Sequence, residues 1–147
     1  MSGREVAAVT IVAVILAGCG IAPDVSMPNV LISVGNTDVP TARGSYCWNT
    51  GGHGECADMA SVDAVIQAGH LSPVRVGPDA PATLSFDRQP DSIQLSSGSD
   101  EAHLEPVELT GSTFRTGGKP GTLDYLLTAR WKEGDVSWVF VVSVQAS

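Results

Sequence analysis

The chain has 147 residues, a formal net charge of −8 and an ordinary hydrophobic fraction of 43%. This length suits one domain of ordinary size, and this composition excludes a wholly disordered chain. The acidic balance argues against nucleic acid as a partner and against adsorption on anionic lipid, because both require clustered Lys and Arg.

The first element is an apolar segment close to the N-terminus. Residues 6–17 (VAAVTIVAVILA) are uncharged, and the run is too short for a membrane-spanning helix, which needs roughly 20 residues. Its length is typical of the apolar region of a signal peptide, although a core helix with an incidental cysteine is the alternative. The run ends in Leu16-Ala17-Gly18-Cys19, which resembles the lipobox of bacterial lipoproteins.

This resemblance implies that residues 1–18 are a lipoprotein signal peptide and that the Cys19 thiol takes a diacylglycerol. The small residues before Cys19 allow a peptidase to approach the backbone. The multiple acyl chains on such a cysteine anchor a protein firmly. We therefore expect the mature protein at the extracytoplasmic face of the bacterial cell membrane, held there by lipid on Cys19.

Residues 19–29 are the predicted tether, because they hold two prolines and little periodicity. The domain is predicted over residues 30–147. Residues 30–34 are a strand candidate before a Gly35-Asn36 turn. Residues 38–48 are predicted to be extended, and Val39-Pro40 suggests an edge position.

Residues 57–68 predict a short amphipathic helix, with Asp58 as a possible N-cap and Gly69 just past the end. Beyond Pro73 the pattern turns to alternation, which predicts strands over residues 82–86, 92–95 and 107–109.

The last segment has the clearest pattern. Apolar residues alternate over residues 123–131 and again over residues 138–144, with Lys132-Glu133-Gly134-Asp135 between them. This pattern predicts a β-hairpin whose apolar face needs a second sheet to cover it. The sequence as a whole therefore predicts a mainly β protein, an antiparallel β-sandwich with one short helix.

Three cysteines are present, and Cys19 is assigned to lipid. Outside the cytoplasm the remaining pair, Cys47 and Cys56, is predicted to form a disulfide across a Gly-rich loop. One alternative is a zinc or copper site that uses Cys47, His53, Cys56 and Asp58. A redox-active pair is another, although the spacing is not C-x-x-C.

The loop between the cysteines and the residues just after it also offer possible ligand contacts. Trp48, His53 and Asp58 are the candidates, because a rigid loop bearing an aromatic side chain suits recognition. The alternatives are that Trp48 packs beside the disulfide, that His53 is merely exposed and that Asp58 caps the helix. We find no catalytic motif and predict no catalytic residue, cofactor or resident metal.

Gly44-Ser45-Tyr46-Cys47-Trp48, the second cysteine at 56 and a terminal run from Tyr125 to Phe140 resemble a group of small bacterial lipoproteins. That group has a G-x-Y-C-W…C loop ahead of an immunoglobulin-like C-terminal half. The resemblance covers roughly residues 30–147 and implies export, a disulfide and an immunoglobulin-like β-fold, with Tyr125 in the place of a tyrosine corner. It implies no reaction.

From these features we expect a non-enzymatic interaction module that binds an envelope protein or a cell-wall component. A lipoprotein that handles a metal or small ligand through the Cys47–Cys56 loop is the first alternative. An exported hydrolase is the second.

Overall fold

The computed structural model describes residues 26–147, so the predicted signal peptide and Cys19 lie outside the described residues. The described part holds one α-helix and eleven strands. In chain order these are β1 (Val30–Val34), β2 (Thr37–Val39), β3 (Ala42–Thr50), β4 (His53–Ala57), α1 (Val62–Ala68), β5 (Val74–Val76), β6 (Pro81–Phe86), β7 (Ser92–Gly98), β8 (Glu105–Pro106), β9 (Thr113–Arg115), β10 (Gly121–Trp131) and β11 (Gly134–Val144). A single 3₁₀ turn at Glu101–His103 precedes β8.

The strands form two sheets. The smaller sheet has the order β2-β1-β6-β9, and the larger has the order β4-β3-β11-β10-β7-β8. The short strand β5 pairs in parallel with the end of β11, and the other pairs are antiparallel. The predicted fold class, a mainly β antiparallel sandwich with one short helix, is confirmed. The neighbouring strands β6 and β9 of the smaller sheet face the neighbouring strands β7, β10 and β11 of the larger sheet. Strands B and E face C, F and G in the same way in an immunoglobulin domain.

Aromatic side chains from both sheets fill the space between them. Phe114 of the smaller sheet lies 5.7 Å from Tyr125 and 6.3 Å from Phe140, measured between ring centroids, and these last two rings are stacked at 4.7 Å. At the other end of the sandwich Phe86 makes edge contacts with Trp131 and Trp138. Such pairs add to the stabilisation that burial of the rings provides.

Strand β11 is buried on both faces, which explains its nearly continuous apolar sequence. Its inward face joins the main core, while Val139 on the outward face packs against Val62 and Val65 of α1. The predicted hairpin is confirmed, since Tyr125 pairs with Phe140. The two strands are longer than predicted and only two residues, 132 and 133, lie between them.

The helix begins later than predicted. Ser61, not Asp58, is the N-cap, and its hydroxyl accepts a hydrogen bond from the Ala64 N–H. The Glu101 carboxylate also accepts a hydrogen bond from the Val62 N–H, so a residue 39 positions away caps the same helix end. Asp58 is exposed and lies outside the helix.

Two further predictions are corrected. Residues 107–109 are not a strand, because β8 ends at Pro106 and the chain then crosses toward the smaller sheet, with Val107 and Leu109 half-buried against the core. The predicted extended segment 38–48 is divided at Pro40 into β2 and β3, which belong to different sheets. The edge position of β2 is as predicted.

The residues just before residue 30 already pack on the sandwich. Met27 packs against the main core, and Pro28 is buried. The backbone N–H of Asn29 donates to the Asp87 carboxylate at 3.0 Å, and the Asn29 carbonyl accepts from the Asp87 N–H. The last residues of the predicted tether are therefore docked on the domain.

Candidate functional site

The segment between the cysteines is a hairpin and not the irregular loop that the glycines suggested. Strands β3 and β4 pair in register, with Trp48 opposite Glu55 and Thr50 opposite His53. The turn consists of Gly51 and Gly52, whose φ angles are +55° and +96°. Two central residues with positive φ match the twist of a two-residue hairpin, which explains the paired glycines. We call β3, β4 and this turn the disulfide-linked hairpin.

Cys47 and Cys56 lie directly opposite each other in this hairpin and are joined by a disulfide, with their Cα atoms 4.1 Å apart. The disulfide predicted from the sequence is thus present. Because each sulfur is bonded to the other, neither is available as a thiolate for zinc or copper. Within residues 26–147 no group of three or more His, Cys, Asp or Glu side chains is placed to hold a metal ion.

Strand β4 is the outermost strand of the larger sheet, and all five of its residues are exposed. The short Cα–Cα distance at the disulfide marks a non-hydrogen-bonded pair. In such a pair the backbone groups point away from the partner strand, and the positions alternate along the strand. The N–H and C=O groups of Gly54 and Cys56 therefore face outward along the edge of the sheet.

Trp48 does not offer its ring to a ligand on the hairpin surface. Its side chain is only 4% exposed and contacts Trp131 edge-on at 5.7 Å. The Arg88 guanidinium lies over the Trp48 ring at 5.1 Å from its centroid. Of the two interpretations stated for Trp48, the structure shows the packed one, so the prediction of Trp48 as a ligand contact is wrong.

Arg88 is the residue that sequence reasoning missed at the base of the hairpin. It lies 3.4 Å from the Glu133 carboxylate and contacts a second indole, that of Trp131, at 6.0 Å. The Trp131 indole N–H donates to the Arg88 carbonyl at 3.1 Å. The Glu133 carbonyl accepts a hydrogen bond from the Asn49 N–H. These contacts join the hairpin to the β10–β11 turn and to the loop after β6.

His53 and Asp58 are both exposed, but the structure does not bring them together. Exposure was the alternative stated for His53, whereas the capping role stated for Asp58 is wrong, because Ser61 is the N-cap. His53 begins β4 and Asp58 follows its end, and the strand between them covers about 13 Å. Glu55 lies on the same strand and accepts a hydrogen bond from the Tyr46 hydroxyl at 2.7 Å. That hydrogen bond raises the pKa of Tyr46, with desolvation and the Glu55 charge acting in the same direction.

The other two histidines, His70 and His103, were not predicted to be catalytic, and both are exposed in turns. His103 Nδ1 lies 2.6 Å from the Asp100 carboxylate on the exposed 3₁₀ turn. This contact lowers the pKa of Asp100, with help from Ser99 and from the Ala102 N–H. His70 has a positive φ of 49° in the turn that follows α1.

Tyr125 lies near the start of β10 and is 1% exposed. Burial raises its pKa, while hydrogen bonds with the Gly117 backbone and the Ser97 side chain oppose that shift. The tyrosine corner stays a prediction, because the backbone partner of Tyr125 lies eight residues upstream, at Gly117. The role of Tyr125 is structural, because its side chain is buried in the core.

Comparison with protein-family models, with curated proteins and with solved structures found no match for this chain. Among residues 26–147, no helix has both the length and the apolar character needed to cross a bilayer.

Proposed function

We propose that this protein is an exported bacterial lipoprotein, anchored through lipid on Cys19, whose domain is a non-enzymatic binding module. The observation that carries the proposal is the Cys47–Cys56 disulfide. Structural disulfides persist in oxidising compartments outside the cytoplasm and are rare in the cytosol. Use of two of the three cysteines in this bond leaves Cys19, the residue that ends the lipobox-like run, for acylation.

The binding surface in this proposal is the outer edge of β4. An exposed edge strand is a template for pairing with another chain, and natural sheets usually blunt such edges. Here the edge is instead held in a fixed conformation by the disulfide, and it presents the backbone groups of Gly54 and Cys56. An extended segment of a protein in the envelope can add to such an edge through main-chain hydrogen bonds. The resemblance of the G-x-Y-C-W…C segment to small bacterial lipoproteins also supports an exported domain of this kind.

The anchor is tested with Cys19→Ala in the native bacterial host or a related one. Wild-type protein is expected in the membrane fraction, with residues 1–18 removed and diacylglycerol mass on the Cys19 peptide. The variant is expected to leave the membrane fraction or to stay unprocessed. Identical processing and fractionation of the two proteins would reject the anchor.

The binding edge is tested by placing a photo-crosslinking residue at Ala57 on β4, in cells. Thr37 is the matched control, because it is also exposed on an edge strand but lies in the smaller sheet. We expect a discrete crosslinked species from Ala57 that is absent or much weaker from Thr37. Equal patterns from both positions would remove the support for β4 as the binding surface.

A further inference from the structure

The contacts of Asn29 fix where the chain joins the sandwich. Asn29 exchanges hydrogen bonds with Asp87, immediately after β6 ends, and its side-chain oxygen accepts from Arg43 at 3.0 Å. The chain therefore enters the domain at the end of the sandwich where β6 and β10 finish and β7 and β11 begin. We call this the anchor end and define it by residues 51–52, 87–91 and 130–133.

The disulfide-linked hairpin has its turn at the same end. Strand β3 runs antiparallel to β11 and reaches Trp48 opposite Gly134, the first residue of β11. The Gly51-Gly52 turn follows beyond that level. The opposite end, which we call the far end, consists of residues 77–80, 98–105 and 117–120. Backbone hydrogen bonds such as the one from the Asp79 N–H to the Gly117 carbonyl join two of its loops.

We propose that the domain stands on the bilayer with its anchor end toward the lipid headgroups, an inference that rests on the proposed lipidation of Cys19. The first argument is length. Eight Cα–Cα steps separate Cys19 from Met27, and whatever their conformation they span at most about 29 Å. Strand β10 alone, with eleven residues, is about 34 Å long. The tether is thus shorter than β10, and contact of the far end with the bilayer would need a fully extended tether that runs back along the domain.

The second argument is charge. Residues 87–91 and 130–133 hold three acidic and three basic side chains, namely Asp87, Asp91 and Glu133 with Arg88, Arg130 and Lys132. The loops of the far end hold four acidic side chains and one basic one, namely Asp79, Asp100, Glu101 and Glu105 with Lys119. The Arg115 guanidinium, which donates to the Asp79 carbonyl at 2.7 Å, adds a second positive charge there, so the far end has an excess of two acidic groups. Bacterial phospholipid surfaces are anionic, and they repel acidic groups within about a Debye length, roughly 8–10 Å. The uncharged glycine turn and the balanced loops of the anchor end therefore fit the lipid surface better than the far end does.

This orientation has a consequence for the proposed binding edge. The turn of the disulfide-linked hairpin lies at the headgroup level, and β4 rises from there along the side of the domain. A partner that pairs with β4 is therefore itself at the membrane surface, and the acidic far end faces away from it.

The chain supplies its own internal probe, because Lys119 and Lys132 are its only lysines. Both are exposed, and they flank the two ends of β10. The lipidated protein is reconstituted on vesicles of phosphatidylglycerol and phosphatidylethanolamine and treated briefly with a membrane-impermeant amine reagent. Peptide mass spectrometry then gives the ratio of Lys132 labelling to Lys119 labelling, together with the mass of the Cys19 peptide. The matched control carries a flexible insertion of about twenty Gly and Ser residues after Gly20, which removes the length limit.

We expect the Lys132/Lys119 ratio to be severalfold lower on vesicles with the native tether than with the long tether. Low ratios for both proteins would also support the orientation and would assign it to the charges of the anchor end. Equal labelling of the two lysines with the native tether, or selective protection of Lys119, would overturn the orientation while acylated Cys19 upheld the anchor. A Cys19 peptide without acyl mass would overturn the orientation and the proposed function together.

Discussion

Removal of the Cys47–Cys56 disulfide is expected to destabilise the domain by an amount that its position defines. The bond closes a ring with a sequence separation of nine residues, for which the loop-entropy model gives about 2.7 kcal/mol. For a domain of about 120 residues this corresponds to a loss of roughly 11 °C in Tm. Two structural facts make this an upper value: within the described part of the chain β4 pairs only with β3, and none of its side chains is buried. In the reduced protein β4 can detach while the remaining strands stay folded.

The assay is urea unfolding of the wild type and of a Cys47→Ser/Cys56→Ser variant, each with and without reductant. Reductant should lower the unfolding free energy of the wild type by up to the stated amount and leave the variant unchanged. Amide exchange should rise first at Glu55 and Ala57, whose N–H groups face β3, before it rises in β10 or β11. Equal unfolding curves for oxidised wild type and variant, or uniform acceleration across the sheet, would refute this reasoning.

Two further predictions concern the core of the larger sheet. Gly134→Ala should lower the free energy of unfolding by about 3 kcal/mol or more, because Gly134 has φ +154° and an added Cβ would lie within 2 Å of the Cys47 carbonyl oxygen. Gly77→Ala, with open space around it, is the control. Equal urea midpoints for the two variants would contradict the argument. Burial, and then the charges of Asp63 and Asp100, raise the pKa of Asp124. The folded state therefore holds the proton more tightly, and wild-type stability falls as pH rises from about 4 through that raised pKa. Asp124→Asn should be more stable than wild type at pH 7 and nearly equal to it at pH 3; a pH-independent difference would count against this.

The sequence predicted best the elements whose side chains alternate and whose partners are close in the chain. The β10–β11 hairpin is of this kind, because alternate residues such as Tyr125, Leu127 and Ala129 point into one core. The outward face of β11 could not be foreseen in the same way. Val139 and Val141 are buried there, and Val139 is covered by α1, a helix more than seventy residues earlier in the chain.

The elements that the sequence did not predict are short or have no buried side chains. Strands β5 and β9 have three residues each, too few to show a period. Strand β4 has no apolar pattern because all of its residues are exposed, although the Gly51-Gly52 pair is a signal of a two-residue hairpin turn that could have indicated it. The true helix start at Ser61 depends partly on the distant Glu101, which no local capping pattern contains.

In the candidate site too, the sequence predicted what depends on local features and missed what depends on distant residues. The disulfide followed from counting cysteines in a chain that the sequence predicts to be exported. The packed position of Trp48 was one of two interpretations, and the sequence could not establish it, since the burial of Trp48 depends on Trp131 and on Arg88 from a polar loop. The free backbone groups of β4 depend on the register between two strands. Residue identity alone does not give that register.

The disulfide and the exposed edge are best explained together. A strand with no buried side chain gains little from the hydrophobic effect, and each backbone hydrogen bond to β3 contributes only about 1 kcal/mol net. Without a covalent link such a strand frays at the sheet edge, where fraying would also hide its pairing groups. The bond between Cys47 and Cys56 keeps β4 extended at a position where packing does not. A protein that needed only a stable sandwich could end its larger sheet at β3 and lose no buried side chain. An ordered edge strand whose outer side pairs with no other strand among residues 26–147 is therefore the observation that most supports the proposed recognition of a second chain.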